Sequence, residues 1–279
     1  MFKLKKWIDK KRLNWYYVSA NPDAIQLIEE NRQRMFWSKL SLNPVALHIV
    51  EEKPHAIDWI NICRNPSGIE LLKKNPEKID WFWISSNPAA IQLLKENQDK
   101  LDWSQLSQNP AAIPLLEANP EKINWLQLSG NPAAIHILEK NIDKIYWINL
   151  SENLAAIPIL ERYPEKINWD TLCLNPSAIS LIMKNPRKIR WSVLSLNPAA
   201  IHLLTTNQDK INWNNLSSNP AAGDLLEKNQ HKINWNNFSS TSAILEYDYE
   251  RMTRPFTEEL MANRFHPKNL DRFEAWGYE

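Results

Sequence analysis

Eleven tryptophans recur at a fixed interval of 22 residues along this chain of 279 residues. A fixed period of this length indicates tandem copies of one small unit, each of which packs against its neighbours. The chain therefore grows by adding units, and a single globular core is not expected. The eleven tryptophans, called the ladder tryptophans below, are Trp15, Trp37, Trp59, Trp81, Trp103, Trp125, Trp147, Trp169, Trp191, Trp213 and Trp235.

The repeating unit begins with asparagine, as in the copy Asn87-Pro-Ala-Ala-Ile-Gln-Leu-Leu-Lys-Glu-Asn-Gln-Asp-Lys-Leu-Asp-Trp-Ser-Gln-Leu-Ser-Gln108. Residues 11–20 supply the second half of an earlier copy, and Thr241-Ser-Ala-Ile-Leu245 begins a further, decayed one. Ten copies begin at Asn21, Asn43, Asn65, Asn87, Asn109, Asn131, Asn153, Asn175, Asn197 and Asn219.

Each unit carries two helix-start signals, ten residues apart. The first is Asn-Pro, and the second is a similar pair in copies such as Asn119-Pro120. Asparagine caps free amides, and proline tolerates the first helical position. Two short helices, A and B, are therefore predicted, with the second asparagine also able to end helix A in a left-handed conformation. Pro114 and Pro158 require helix A to start late or to open with a 3₁₀ turn.

The predicted fold is an all-α solenoid of about ten 22-residue two-helix repeats, with non-repeat caps at both ends. The predicted segments are a basic N-terminal cap over 1–20, the helical repeats over 21–240 and a C-terminal cap or tail over 241–279. One helix-packing distance per unit gives an elongated rod of roughly 100 Å. The apolar residues of the tail would cover its end: Phe256, Leu260, Met261, Phe265, Leu270, Phe273 and Trp276.

Composition excludes several function classes. The net charge is +1, which gives no general attraction to nucleic acid or anionic membranes, and the 4 glycines leave no phosphate-binding loop. No apolar run is long enough to span a membrane, and no signal peptide is recognisable, so secretion is not expected. Cys63 and Cys173 lie five units apart, too far for a disulfide, which indicates free thiols in a reducing compartment.

No catalytic or metal site is predicted. His48, His136 and His202 share one repeat position but lie several units apart, about 30–40 Å, which is too far for a common metal ion. His55, His231 and His266 have no ligand cluster at metal-binding spacing. No nucleophile and base pair is recognisable either. We therefore expect no enzymatic activity, no cofactor and no small-molecule substrate.

The ladder tryptophans and a second, cationic ladder each have two possible interpretations. The tryptophans would stack bases or sugars if exposed, but their aliphatic neighbours favour the packed face, with each indole N–H bonded to an adjacent unit. A lysine or arginine stands three residues before every ladder tryptophan except Trp59, and this cation ladder could follow a phosphate backbone. Acidic neighbours such as Glu121 and Asp143 favour a solvated face for these cations.

Candidate partner-binding residues come from the variable positions. The two residues after each ladder tryptophan vary most, and the aromatic pairs Tyr16-Tyr17 and Phe82-Trp83 would serve as exposed anchors or fill local packing gaps. The basic N-terminal segment would dock on an acidic protein, nucleic acid or lipid headgroups, or stay solvated. Its candidate residues are Lys3, Lys5, Lys6, Lys10 and Lys11.

The repeat Asn-Pro-Ala-Ala-Ile-x-Leu-Leu-x-x-Asn-x-x-Lys-Ile-x-Trp-x-x-Leu-Ser resembles that of tandem-repeat proteins of large DNA viruses of amoebae and algae. Residues 11–240 carry the resemblance, and the tail with Phe265-His266-Pro267 and Phe273 is similar to theirs. The resemblance implies a viral origin, with the virion or the host cytoplasm as the place of action. It transfers little about function, because repeat folds have many roles.

These observations favour a non-enzymatic protein-binding scaffold, such as a minor capsid or internal protein of a virus particle. Its partners would be virion or host proteins. One alternative is nucleic-acid binding through the basic N-terminus and the cation ladder, for which affinity would fall steeply with salt. A second alternative is an adaptor that recruits a host protein through its tail.

Overall fold

The computed structural model describes residues 2–249, 251 and 253. The 22-residue repeats form an all-α solenoid, which confirms the predicted fold class. Each unit contains a turn, usually 3₁₀, that leads directly into helix A, followed by a second 3₁₀ turn and helix B. The tail residues that were predicted to cover the end of the array, from Phe256 onwards, lie outside the described residues.

Both helices are short, between four and six residues. The A helices are Ile25–Glu29, Leu47–Val50, Ile69–Lys74, Ile91–Glu96, Ile113–Ala118, Ile135–Glu139, Ile157–Arg162, Ile179–Lys184, Ile201–Thr206 and Gly223–Glu227. The B helices are Trp15–Val18, Trp37–Leu40, Trp59–Arg64, Trp81–Ser85, Trp103–Ser107, Trp125–Gly130, Trp147–Glu152, Trp169–Leu172, Trp191–Leu194, Trp213–Leu216 and Trp235–Phe238.

The 3₁₀ turns alternate with these helices. Those at the start of the A portion are Pro22–Ala24, Pro66–Gly68, Pro88–Ala90, Pro110–Ala112, Pro132–Ala134, Pro176–Ala178, Pro198–Ala200 and Ser242–Ile244. Those before the B helices are Lys10–Arg12, Arg32–Arg34, Pro54–Ala56, Pro76–Lys78, Gln98–Lys100, Pro120–Lys122, Ile142–Lys144, Pro164–Lys166, Pro186–Lys188, Gln208–Lys210 and Gln230–Lys232. Two strands complete the described elements, β1 (Phe2–Leu4) and β2 (Leu245–Tyr247).

The two asparagines of a unit have different roles. Oδ1 of Asn87 accepts the amide of Ala89 and so caps the opening turn, as predicted. The second asparagine, Asn97, does not cap helix B and is not left-handed, because its φ is −131°. The side-chain amide of Asn97, through Nδ2, instead donates to the carbonyl of Leu93 at the end of helix A. The cap of helix B is the residue before the tryptophan, where Oδ1 of Asp102 accepts a backbone amide.

The late start of helix A that the extra prolines required is confirmed. The 3₁₀ turn Pro110–Ala112 precedes the α-helix, so Pro114 occupies its second position, where no intrahelical donor is needed. Pro158 has the same place in the helix that begins at Ile157. Both prolines therefore lie where an α-helix tolerates them.

Aliphatic side chains from both helices form one continuous core along the array. Leu94 of helix A and Leu106 of helix B are fully buried, and their equivalents repeat from unit to unit. The ladder tryptophans pack against this core and are mostly half-buried, with Trp15 the most enclosed. Burial against neighbouring units supplies the stability that helices of one or two turns lack alone.

Neighbouring units are joined by hydrogen bonds that recur with the repeat. Ser107 donates through Oγ to the carbonyl of Trp103 in its own unit and accepts the amide of Asn124 from the next. Nδ2 of Asn109 donates to one carbonyl in each of the two preceding units, that of Ser85 at 3.0 Å and that of Asn87 at 3.1 Å. These buried bonds fix the spacing and the angle between units.

The solenoid closes on itself into a ring. Strand β1 pairs antiparallel with β2, so Lys3 lies opposite Glu246. The amide of Asn14 donates to Oγ of Ser239, and Nδ2 of Asn21 donates to the carbonyl of Thr241, which repeats the bonds between other neighbours. The expectation of an elongated rod is therefore wrong, because the two ends of the array meet in the register of an ordinary interface.

The ring contains eleven units, which we number by their ladder tryptophans from Trp15 (unit 1) to Trp235 (unit 11). Units 2 to 11 are the ten continuous copies over 21–240. Unit 1 is assembled from both ends of the chain, because 241–247 supply its opening turn and β2, while 2–18 supply β1 and helix B. The two-stranded sheet stands where the other units have helix A. The terminal segments thus cover the array by completing one shared unit.

The seam between units 11 and 1 explains one departure from the repeat. Gly223 stands where most other units have isoleucine, and a β-carbon there would lie 2.7 Å from Nζ of Lys5. Lys5 itself lies 3.6 Å from a carboxylate oxygen of Asp224. The glycine thus makes room for a lysine that arrives from the N-terminus. Trp7 also packs here, with its ring stacked on Phe238.

The B helices and the Asn-Pro turns lie on the axis side of the ring. From unit 3 to unit 8 successive B helices are in close contact, and several successive Asn-Pro turns are too, whereas successive A helices are farther apart. In a closed ring of wedges, the parts nearest the axis are the closest together. The A helices and the turns before the B helices therefore form the outer side.

Candidate partner-binding surface

The residue directly after each ladder tryptophan forms a row around the ring, in the first turn of the B helices. Most of these side chains are exposed, because the tryptophan before them and the buried apolar residue two positions later occupy the core side. In unit order they are Tyr16, Ser38, Ile60, Phe82, Ser104, Leu126, Ile148, Asp170, Ser192, Asn214 and Asn236.

The residue directly before each tryptophan contacts this row from the following unit. Nδ2 of Asn124 lies 2.9 Å from Oγ of Ser104, and the rings of Tyr16 and Phe36 lie 5.6 Å apart. We call the two rows together the band. Its second row, from unit 1 to unit 11, is Asn14, Phe36, Asp58, Asp80, Asp102, Asn124, Tyr146, Asn168, Arg190, Asn212 and Asn234.

The band is polar from unit 8 through unit 11 and into unit 1, a stretch we call the polar arc. At each of its four interfaces the two rows satisfy each other with a polar contact. The pairs are Asp170 with Arg190, Ser192 with Asn212, Asn214 with Asn234, and Asn236 with Asn14. Each of these side chains therefore has a polar partner within the band.

From unit 1 to unit 7 half of the band positions carry exposed apolar side chains, and the polar arc carries none. These large apolar side chains of units 1 to 7 are between 37% exposed, at Tyr16, and 58% exposed, at Ile148. Exposed apolar side chains gathered on one stretch of surface are typical of interaction sites. We call these residues the apolar arc: Tyr16, Phe36, Ile60, Phe82, Leu126, Tyr146 and Ile148.

The predicted aromatic anchors fall on or beside this arc. Tyr16 and Phe82 belong to it, and Tyr17 is 40% exposed beside Tyr16. Trp83 is partly buried and packs against the core, with the guanidinium of Arg64 4.9 Å above its ring. Of the pair Phe82-Trp83, the first side chain is therefore available to a partner and the second mainly fills a packing gap.

The residues before the tryptophans were not recognised as site candidates from the sequence. Phe36 and Tyr146 occupy the cap position of helix B, where most units have asparagine or aspartate. An aromatic residue at a capping position was the signal that identifies them. It becomes informative only once the position is known to contact the exposed row of the preceding unit.

The predicted basic segment lies at the seam, apart from the apolar arc. Lys3, Lys5 and Lys6 line one open depression of about 880 Å³. Lys3 lies 3.5 Å from Asp248, and acidic residues including Glu227 share the same walls, so the local charges alternate in sign. Lys10 and Lys11 are exposed on the adjoining turn.

The cation ladder and the tryptophan ladder interleave. Nζ of Lys122 lies 4.4 Å above the ring of Trp103 in the preceding unit, and six other units repeat this arrangement. At the seam, Arg12 takes the same place over Trp235. The indole N–H groups of Trp7, Trp15 and Trp235 are buried without a hydrogen-bond partner. The partner in an adjacent unit that was predicted for the ladder tryptophans is therefore wrong for Trp15 and Trp235.

No protein-family model matches this chain, and no curated protein or solved structure does.

The rest of the described structure contains no cluster of histidine, cysteine and acidic side chains that could hold a metal ion. Cys63 and Cys173 are buried and unpaired by a disulfide. Burial raises the pKa of both thiols, which keeps them protonated and unreactive. Between residues 2 and 249, and at 251 and 253, no helix has the length and hydrophobicity to cross a membrane.

Proposed function

We propose that this protein is a non-enzymatic scaffold that binds a protein partner on the apolar arc of its ring. One observation carries the proposal: the exposed apolar residues of the band gather on units 1 to 7, whereas the side chains of the polar arc pair with each other. Large aromatic and aliphatic side chains on a rigid surface provide the anchors that dominate protein interfaces. The buried bonds between units hold these anchors in place, which lowers the entropic penalty of binding.

The place of action that we propose is a virus particle or the cytoplasm of an infected host. The resemblance of the repeat to those of large DNA viruses of amoebae and algae supports it, and a minor capsid or internal virion protein fits a ring scaffold. Mass spectrometry of purified virions tests this part. Absence of the chain from particles would contradict the virion role and leave a cytoplasmic one.

Photo-crosslinking tests the binding surface. A crosslinking amino acid is placed at Phe82 or Ile148 on the apolar arc, or at Asn214 on the polar arc as the matched control. We expect both arc positions to capture the same protein in infected cells and Asn214 to capture none. Equal capture at all three positions would contradict the proposal.

Two alternatives predict different results. A nucleic-acid partner would bind through the exposed lysines and would dissociate steeply as the salt concentration rises, whereas docking on apolar side chains would not. An adaptor that uses its tail would lose its partner when residues 254–279 are deleted, with the ring and the arc intact. Crosslinks at Phe82 that survive both treatments would support the scaffold.

A further inference from the structure

The second row of the band carries three carboxylates in consecutive units, beside residues of the apolar arc. Asp58, Asp80 and Asp102 precede the ladder tryptophans of units 3, 4 and 5. Each is half-buried and caps its own B helix through a backbone amide. None of the three forms an ion pair within the described part of the chain.

Their positions place these carboxylates beside the exposed apolar side chains. The band residue before a tryptophan contacts the band residue after the tryptophan of the preceding unit, as Asn124 and Ser104 show at 2.9 Å. By the same register, Asp80 lies beside Ile60 and Asp102 lies beside Phe82. Apolar groups and unpaired negative charges thus alternate along units 3 to 5.

One interface of the polar arc shows the kind of partner that such a carboxylate binds. On the polar arc the one aspartate of the band, Asp170, is paired with the guanidinium of Arg190, with Nε 2.6 Å from Oδ1. Asp58, Asp80 and Asp102 face the first row of the preceding units, which has no cation there: its residues are Ser38, Ile60 and Phe82. The basic groups near this part of the arc lie over aromatic rings, with Lys39 above Tyr16 and Arg64 above Trp83.

We propose that units 3 to 5 of the apolar arc bind a cationic amphipathic helix of the protein partner. This inference rests on the proposed function, because it names the partner of the same surface. The partner's apolar stripe would cover Ile60 and Phe82, and its lysines or arginines would pair with Asp58, Asp80 and Asp102. Seven residues of a helix rise about 10.5 Å, close to the roughly 8–10 Å between packed units, so cations one heptad apart meet carboxylates one unit apart.

The chain itself supplies substitutions that preserve its fold. Asparagine caps helix B in units 1, 6, 8, 10 and 11, so Asp58→Asn, Asp80→Asn and Asp102→Asn remove the charges and keep the caps. Serine stands at the position of Phe82 in units 2, 5 and 9, which makes Ile60→Ser and Phe82→Ser equally compatible with the fold. A control variant combines Asp99→Asn, Asp143→Asn and Asp209→Asn, which removes three exposed carboxylates from the outer side.

The experiment uses the full chain and two labelled helical peptides of roughly 21 residues, long enough to span three units. Both have the same leucine stripe, flanked by lysines in one and by glutamates in the other, and binding is measured by fluorescence anisotropy. We expect the lysine peptide to bind and the glutamate peptide not to bind. The charge variant should weaken binding about five- to tenfold, since each exposed ion pair contributes modestly, and the outer control should not. Ile60→Ser with Phe82→Ser should abolish binding.

Four results would overturn the inference. Equal binding of the two peptides, equal weakening by the outer control variant, or binding of neither peptide would each remove the cationic helix as the occupant. Loss of binding on Ile60→Ser with Phe82→Ser, but no effect of the three charge substitutions, would also overturn it while leaving the proposed function intact. Failure of the proposed function would show separately, as equal crosslinking at Phe82 and Asn214.

Discussion

The backbone amide of Asn14 donates a hydrogen bond to Oγ of Ser239, 225 residues later in the chain, at 2.9 Å. The other ten interfaces have the same contact between residues 17 apart, with sulfur in place of oxygen at Cys63 and Cys173. The interface that joins the two ends of the chain is therefore equivalent to those within it.

Closure predicts a crosslink between the ends of the chain. Lys3 and Glu246 are opposite each other in the two-stranded sheet, within the distance that a disulfide spans. The variant Lys3→Cys with Glu246→Cys should form an intramolecular disulfide on mild oxidation and gain about 3–5 kcal/mol of stability, because a long loop is closed. Non-reducing electrophoresis and thermal unfolding measure both effects. Lys3→Cys with Glu121→Cys, across the ring in unit 6, should form none, and an open rod would form neither.

The packing at the seam predicts that replacing Gly223 by isoleucine, the residue of most other units, lowers the stability of the protein. Isoleucine there would displace Lys5 and break its contact with Asp224, so Gly223→Ile should lower the free energy of unfolding by about 1–3 kcal/mol. Gly130→Ala is the matched control. A β-carbon at Gly130 meets no atom within 4 Å, so this helical substitution should be neutral or stabilising by about 0.5–1 kcal/mol. Urea titration of both variants checks this, and a stabilised Gly223→Ile would contradict the description of the seam.

The two asparagines of a unit should differ in their contribution to stability. Asn109→Ala removes a side-chain amide that donates to two buried carbonyls, one in each of the two preceding units, and it also removes a cap, so we expect a loss of about 2–4 kcal/mol. Asn97→Ala removes a half-buried bond to Leu93 within its own unit and should cost about 1 kcal/mol. Chemical unfolding of the two variants measures the difference. Equal losses would show that the bonds between units do not hold the ring together.

The cysteines predict a stability that depends on pH. Burial raises the pKa of Cys63 in the folded state, so its stabilising contribution is complete below the ordinary thiol pKa and is lost as the pH rises through the folded-state value. Cys63→Ser, the residue of most other units, should remove this alkaline loss with a change of less than about 1 kcal/mol near neutral pH. Urea titrations at about pH 7 and about pH 10 test it. Fast alkylation of the native thiol at neutral pH would argue against burial.

Much of the unit could be predicted from the sequence, because local signals determine it. The Asn-Pro pair predicted where the A portion starts, and Pro114 predicted the 3₁₀ opening. The packed tryptophans follow from the spacing of Ile123, Trp125 and Leu128. Each of these features depends on contacts within one unit or between two identical neighbours.

Closure could not be predicted in the same way, because it depends on the sum of small rotations over all units. A difference of a few degrees per unit separates a ring from an open superhelix, and no single residue encodes it. Hints were present at the seam, where Gly223 interrupts the isoleucines and Thr241 replaces an asparagine. Taken separately, these two residues indicated a decayed repeat. The position of Lys5 beside Gly223 shows that the glycine is adapted to the seam.

The band shows a similar division. Tyr16 and Phe82 were predicted as anchors from their size and from the variability of their position. Phe36 and Tyr146 were missed, because their role depends on a contact with the preceding unit. The distribution of apolar and polar residues over two arcs becomes visible only when the units are arranged in a circle.

Because the ring is shut, its copy number cannot drift as it does in most tandem arrays. Eleven wedges turn by roughly 33° each, and gaining or losing one 22-residue copy would require about 30° or 36° at every joint simultaneously. Duplication and deletion, the ordinary ways in which repetitive genes change, would therefore break the circle instead of lengthening it. The sequence of this protein can therefore diverge by substitution of individual side chains, while the number of units in the ring stays the same.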